Sequence, residues 1–491
     1  MKELQETGKP LSLVAAAKQK ATKRETIDHA STSREVTAPL SDASDLRINL
    51  QTMFMAHPVA AIAAGFAIFL MAFLFPPELY TSLLIDKCYM FLDFRMLAYN
   101  SVCVILLLGG LYVSFGGSLS GPPPNMRPES SYNRFPLTVG GLLFAIIILN
   151  MTSAYLVIRV GGLSSMLSAM RGNVLLGQEM ERFSEEAGGE RWKALLNVSA
   201  IALPAAWHFS RGFRKYSFVW WLMIGCLATY FPAAVLTAKR NFLIRPVFGM
   251  LLIFFVWPVG RKLYSRQKAV GLCVCLGMIV IAAFLGLSVI RKGIQGTTEA
   301  SGEVVRYVLG SYNTESLIVS GEMEVPGSRR GYYWTQWFWE FPVLSRMLRL
   351  DMLREKLLGD KAPYGHLQRA PMLEQHGLTI STAIPAFACT FVDFGWLGPL
   401  AFFPLGLVAG LIWKSFLRQN PTGLILYPHA AYAFVEIRGN LLFPSYHTGN
   451  CILILWAILA CLWMEGGRKR NTTSRPASAS RSQSGLLPRS L

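Results

Sequence analysis

The feature that most constrains this chain is a ladder of ten apolar runs. Each approaches the roughly 20 residues that an α-helix needs to cross about 30 Å of hydrocarbon. They lie near residues 54–75, 97–115, 137–158, 194–209, 218–238, 242–260, 269–290, 387–413, 424–443 and 446–464. The fourth is short and contains Pro204, and the ninth encloses Glu436 and Arg438. Inside lipid the backbone must satisfy its own N–H and C=O groups, so repeated runs of this length predict a helical bundle rather than a barrel.

Charge supports that reading. Only 15% of the 491 residues are charged, against roughly 25% in soluble domains. The expected fold is an all-α polytopic membrane protein with about ten transmembrane helices and one large outer loop. Residues 1–50 read as a flexible polar tail, in which 11–23 has the pattern of a short amphipathic helix. Residues 51–290 carry helices 1–7, 291–380 the large loop, 381–465 helices 8–10, and 466–491 a basic tail. The first apolar run follows a long polar segment and is read as a retained span, not a cleaved signal.

With the N-terminus inside, the short cytoplasmic loops (116–136, 210–217, 261–268 and 414–423) hold eleven Lys and Arg and one acid, Glu129. The short loops on the other side nearly balance base with acid. The C-terminal tail has six basic residues and no acid. This is the positive-inside pattern, and it places both termini in the cytoplasm. It also accounts for the formal charge of +18 without a nucleic-acid partner. Seven of the eight cysteines fall in or beside apolar runs, where free Cys behaves as a small hydrophobe. Cys273 and Cys275 point to different sides of a helix and make a poor metal pair, so neither metal nor cofactor is expected.

The same alternation puts 291–380 on the outer face, with eleven basic and ten acidic residues. Within it, Trp334, Trp337, Phe338 and Phe341 have i, i+3, i+4, i+7 spacing, which predicts a helix in the membrane interface. Such a helix either anchors the loop as an aromatic belt or offers Trp337 as a platform for stacking sugars. From Val343 to Leu358, apolar and basic positions alternate as in a second amphipathic helix.

Three segments, Thr237-Ala238-Lys239-Arg240, Gly310-Ser311-Tyr312-Asn313, and 379–398 leading through Asp393-Phe394-Gly395 into a helix with Gly406 and Gly410, resemble the O-antigen and oligosaccharide repeat-unit polymerases. The resemblance covers roughly 237–413. Ala238 stands where family members often have Gly. It implies a lipid-dependent, GT-C-like glycosyltransferase that moves a growing glycan from undecaprenyl diphosphate onto the next lipid-linked repeat unit. A separate chain-length regulator is the implied protein partner, and the lipid bilayer is the setting.

Such an enzyme has to neutralise a departing diphosphate, which planar guanidinium groups do well. The candidates are Arg240 first, then Lys239, Arg291 with Lys292, Arg306, Arg329, Arg330 and Arg438, with Asn313 from the motif. Lys239, Arg240, Arg291 and Lys292 have the alternative of snorkelling to headgroups. Arg438, inside an apolar run beside Glu436, must face the bundle interior or a wet cavity. His366, His376, His447 and Asp393 are candidates for the base that takes the acceptor proton; Asp393 equally suits a cap for the helix after it. No Asp-x-Asp pair for a nucleotide-sugar metal is present. A ligase using the same carrier, or a flippase for lipid-linked sugar, are the competing readings. No internal repeat of the kind common in transporters is visible.

Overall fold

A computed structural model describes residues 50–76, 93–117, 135–161, 191–213, 217–236, 240–257, 297–323, 331–341, 344–358, 384–437 and 445–473, with a few single positions between them. All belong to one unit, Ile48–Leu491. Among the described residues there is no strand. The helices are α1 (Leu50–Ala56), α2 (Pro58–Leu74), α3 (Phe94–Ser114), α4 (Pro136–Gly161), α5 (Arg191–Ser210), α6 (Phe218–Leu236), α7 (Arg240–Val256) and α8 (Thr297–Ser320). After them come α9 (Tyr332–Trp339), α10 (Leu344–Met347), α11 (Leu350–Leu358), α12 (Ala386–Phe394), a 3-10 segment (Gly395–Ala401), α13 (Phe402–Leu417), α14 (Pro421–Val435) and α15 (Tyr446–Thr473).

Among the described residues, four helical segments are long and apolar enough to cross a membrane: Phe94–Ser114, Pro136–Arg159, Ala386–Leu417 and His447–Gly466. Four more, Pro58–Leu74, Ala194–Ser210, Phe218–Ala234 and Asn241–Val256, are apolar but shorter. The chain is therefore a helical, membrane-associated protein. The seventh apolar run, 269–290, and the segment 11–23 lie outside the described residues or nearly so.

Local chemistry sets the helix starts. Asp93 accepts the Met96 amide at 2.9 Å, and Asn420 accepts the Thr422 amide at 3.2 Å ahead of Pro421. Side-chain oxygen at the N-cap followed by Pro at the first helical position is the favoured arrangement. The first turn of α4 is capped from a distance: Glu465 on α15 accepts from the Thr138 amide at 2.9 Å and its hydroxyl at 2.8 Å.

At the centre is α14, buried along its length and packed by α2, α5, α7, α13 and α15. Beside it α3 crosses α13 closely, where a Cβ on Gly110 would strike the Phe403 carbonyl and the Gly406 Cα; small residues permit such crossings. Helix ends that the charge pattern assigns to one face do meet. Lys414 donates to the Ser114 carbonyl, Tyr427 donates to the Ala56 carbonyl, and Trp257 stacks near both His208 and Phe416.

Two expected helices are broken. The second amphipathic helix splits into α10 and α11 around Arg349, whose φ is 49°, a left-handed conformation no helix interior tolerates. The eighth apolar run turns 3-10 at Gly395–Ala401, where Gly395 has φ 59° and Pro399 lacks an amide donor. The long helix α8 has no counterpart in the sequence reading. It packs on α2, α3 and α12.

Candidate functional site

Pro246 prepares the site. With no N–H, it cannot close the helical bond to the carbonyl four residues earlier. That carbonyl, on Phe242, is served instead by the buried Tyr230 hydroxyl from α6. One turn further on, a Cβ at Gly249 would come within 2.7 Å of Pro204 Cγ and 3.1 Å of Pro428 Cβ. Its absence lets α5, α7 and α14 converge just below Arg245.

Arg245 is the centre of what they enclose, with only 6% of its surface exposed. One terminal guanidinium nitrogen reaches Asn197 Oδ1 on α5 at 3.4 Å and His447 Nδ1 at the start of α15, also at 3.4 Å. The guanidinium carbon lies 5.4 Å from the Tyr432 ring centroid on α14, and Tyr432 in turn reaches Asn241 at 3.5 Å. Nε of Arg245 is buried with no hydrogen-bond partner. Among the described residues its neighbours are an amide, an imidazole and a ring, with no carboxylate.

Arginine only donates, so His447 Nδ1 must accept, which fixes a neutral imidazole with its proton on Nε2. Toward Arg245, His447 is thus an electrically neutral acceptor. His429 on α14 lies beside it, ring centroids 6.0 Å apart. A buried cation matched only by neutral groups is costly. It suits a site whose counterion is a bound anion.

The aromatic helix α9 is docked nearby on α12 and α15. Asp393 Oδ2 accepts the Trp334 amide at 3.0 Å, and Trp334 Nε1 donates to Thr390 at 2.9 Å. Asp393 thus caps α9, brought in from the loop, and not the helix that follows it. Phe341 packs on Trp456 of α15, ring centroids 5.9 Å apart. Burial and the Glu340 carboxylate hold the Tyr332 phenol well above its ordinary range, so it donates to Glu340. Of the four aromatics at helical spacing, Trp334 and Phe341 face the bundle, while Trp337 is 37% exposed and accessible.

The sequence candidates distribute as follows. Arg240 is the first residue of α7, five residues before Arg245, which corresponds to about 7.5 Å along the axis. Arg306 and Asn313 lie on α8, away from the elements that hold Arg245, and Asn313 is fully buried. Lys239, Arg291, Lys292, Arg329, Arg330, His366, His376 and Arg438 lie outside the described residues. Arg245 and Asn197 were missed. The signal existed: the one Arg within the sixth apolar run, directly before Pro, obeys the same burial argument that singled out Arg438. No family model matches the sequence, and comparisons with curated proteins and with solved structures give no match either.

Proposed function

We propose that this chain is a bacterial inner-membrane glycosyltransferase that polymerises undecaprenyl-diphosphate-linked oligosaccharide repeat units at the periplasmic face. The observation that carries the reading is Arg245: a buried guanidinium without a carboxylate partner among the described residues, held in an apolar bundle by Asn197, His447 and Tyr432. In such a transfer the acceptor hydroxyl attacks the anomeric carbon, the bond to the diphosphate breaks, and the hydroxyl proton passes to the departing diphosphate. The charge that develops on the leaving oxygen needs a preorganised cation in a water-poor site. Arg245 supplies it, with the Nε2–H of His447 as a second donor. Arg240, at the head of the same helix, guides the diphosphate inward. Trp337, exposed on the docked α9, presents a face on which a sugar can stack.

The topology that goes with this function has ten spans, cytoplasmic termini and a periplasmic loop at 291–380, in a lipid-dependent, GT-C-like arrangement. The meetings of Ser114 with Lys414, Ala56 with Tyr427 and Thr138 with Glu465 support the alternation. So does the position of Arg245, Asn197 and His447, each near the helix end assigned to the outer side. The reaction draws on a lipid-diphosphate donor and no cofactor, with a chain-length regulator as its protein partner.

The test is the surface glycan of a deletion strain complemented with wild type or Arg245→Ala. Loss of long polymer with single capped repeat units retained is the expected result for both the deletion and the variant. Loss of all surface glycan would point to a ligase or flippase. Normal chain lengths in an Arg245→Ala strain with unchanged protein level would remove the diphosphate role.

A further inference from the structure

Helix α8 contains a run that is polar in sequence and buried in fact: Ser311-Tyr312-Asn313-Thr314-Glu315-Ser316, none more than 2% exposed. Within it Glu315 has no exposed surface, and neither carboxylate oxygen has a hydrogen-bond partner. Ser311, one turn earlier on the same face, has a buried hydroxyl that is also unpartnered.

Across from α8, helix α3 presents Asn100, whose side-chain oxygen and nitrogen are both buried without a hydrogen bond, and Tyr99, whose hydroxyl is in the same position. Burial pushes the Glu315 carboxyl up to about 8, and the neighbouring Asn100 amide offsets part of that rise, although not in hydrogen-bonding geometry. Tyr99 and Cys103 both feel the Glu315 charge. Among the described residues no Lys, Arg or His pairs with Glu315.

We propose that Glu315, Asn100, Ser311 and Tyr99 form a binding site for a monovalent metal cation. The donor atoms are hard oxygens: a carboxylate, an amide carbonyl and two hydroxyls, the class that alkali and alkaline-earth ions prefer to soft metals. The charge selects within that class. One carboxylate neutralises one positive charge, whereas a divalent ion would leave a net buried charge in an apolar bundle. A proton on Glu315 would also neutralise it, but would leave the oxygens of Asn100, Ser311 and Tyr99 unserved, and buried polar groups in native proteins are satisfied. A cation coordinated by all four answers both demands. Asn100 lies six residues from the start of α3, about 9 Å along the axis. The ion ties α8, the first element of the large loop, to the transmembrane bundle. This inference does not depend on the glycosyltransferase reading.

The experiment needs no substrate. Full-length protein in detergent or nanodiscs is melted while NaCl, or separately KCl, replaces choline chloride at constant ionic strength. Sodium or potassium should give a saturable rise in Tm of roughly 2–4 °C that choline does not give. Glu315→Gln, which keeps the shape and removes the charge, should lose the shift. Asn100→Asp, with a second carboxylate, should respond to calcium instead. Equal melting in all three salts overturns the proposal and leaves Glu315 as a protonated buried acid; a full shift retained in Glu315→Gln overturns it as well. The wild-type titration decides the matter even where a variant does not fold.

Discussion

Replacing Arg245 by methionine separates a ligand-binding cation from a structural one. Its two hydrogen bonds, both 3.4 Å, exceed the usual N–H···O range and go to neutral acceptors, so together they contribute about 1 kcal/mol or less. The ring of Tyr432 at 5.4 Å adds about 0.5–2 kcal/mol. Against these stands the burial of a cation, several kcal/mol even after relaxation. The balance is unfavourable, so Arg245→Met, similar in length but uncharged, should leave stability unchanged or raise it by about 1–3 kcal/mol. Polymerisation by purified protein on lipid-linked repeat units should fall on the order of 10²–10³-fold, the scale for losing one preorganised donor to a developing oxyanion. Pyrophosphate should raise the melting temperature of wild type, with about 2.7 kcal/mol of stabilisation at 100 times its Kd, and should not protect the variant. Arg245→Lys should melt like wild type and keep partial activity, because it retains the charge but not the planar fork. A methionine variant that melts well below wild type would make Arg245 a structural strut, and one that polymerises normally would end the diphosphate argument.

Two further substitutions probe how the site is held. Asp393→Ala should free the start of α9 at a cost of about 1 kcal/mol, seen as faster proteolysis in the 321–358 region, while Asp393→Asn keeps an acceptor oxygen and should behave like wild type. Gly249→Val should force α5 and α14 apart at Pro204 and Pro428 and lower thermal stability by about 1–3 kcal/mol; a normal melting curve would show that the three helices have slack there.

Most of the bundle was legible because hydropathy and charge act locally. The first six apolar runs are helical within a few residues of their expected limits, whereas the helix of the ninth ends at Val435, eight residues early, and that of the tenth continues to Thr473; Lys414 and Ser114, which counting Lys and Arg assigns to one face, are hydrogen-bonded. The breaks at Arg349 and Gly395 were not legible, because either residue also fits a continuous helix until its φ is known. The deeper failure was α8. Ser311 to Ser316 has the composition of an exposed loop, and only tertiary packing against α2, α3 and α12 turns it into buried helix. The site was half legible for a similar reason. Arg240 is conspicuous at the edge of an apolar run, whereas Arg245 sits five residues inside it, where its significance rests on partners from α5, α14 and α15 that are remote in sequence.

Those remote partnerships bear on the order in which the chain assembles. Ser114 meets Lys414 300 residues later, Thr138 waits 327 residues for Glu465, and Ala56 waits 371 for Tyr427. At roughly 5–20 residues per second, the ribosome needs about 15–60 s to supply even the nearest of these partners. For that interval the early helices are inserted while the helix that will become their centre, α14, has yet to be made. Biogenesis of this protein is thus a late closure, in which the last helices to leave the ribosome lock the first.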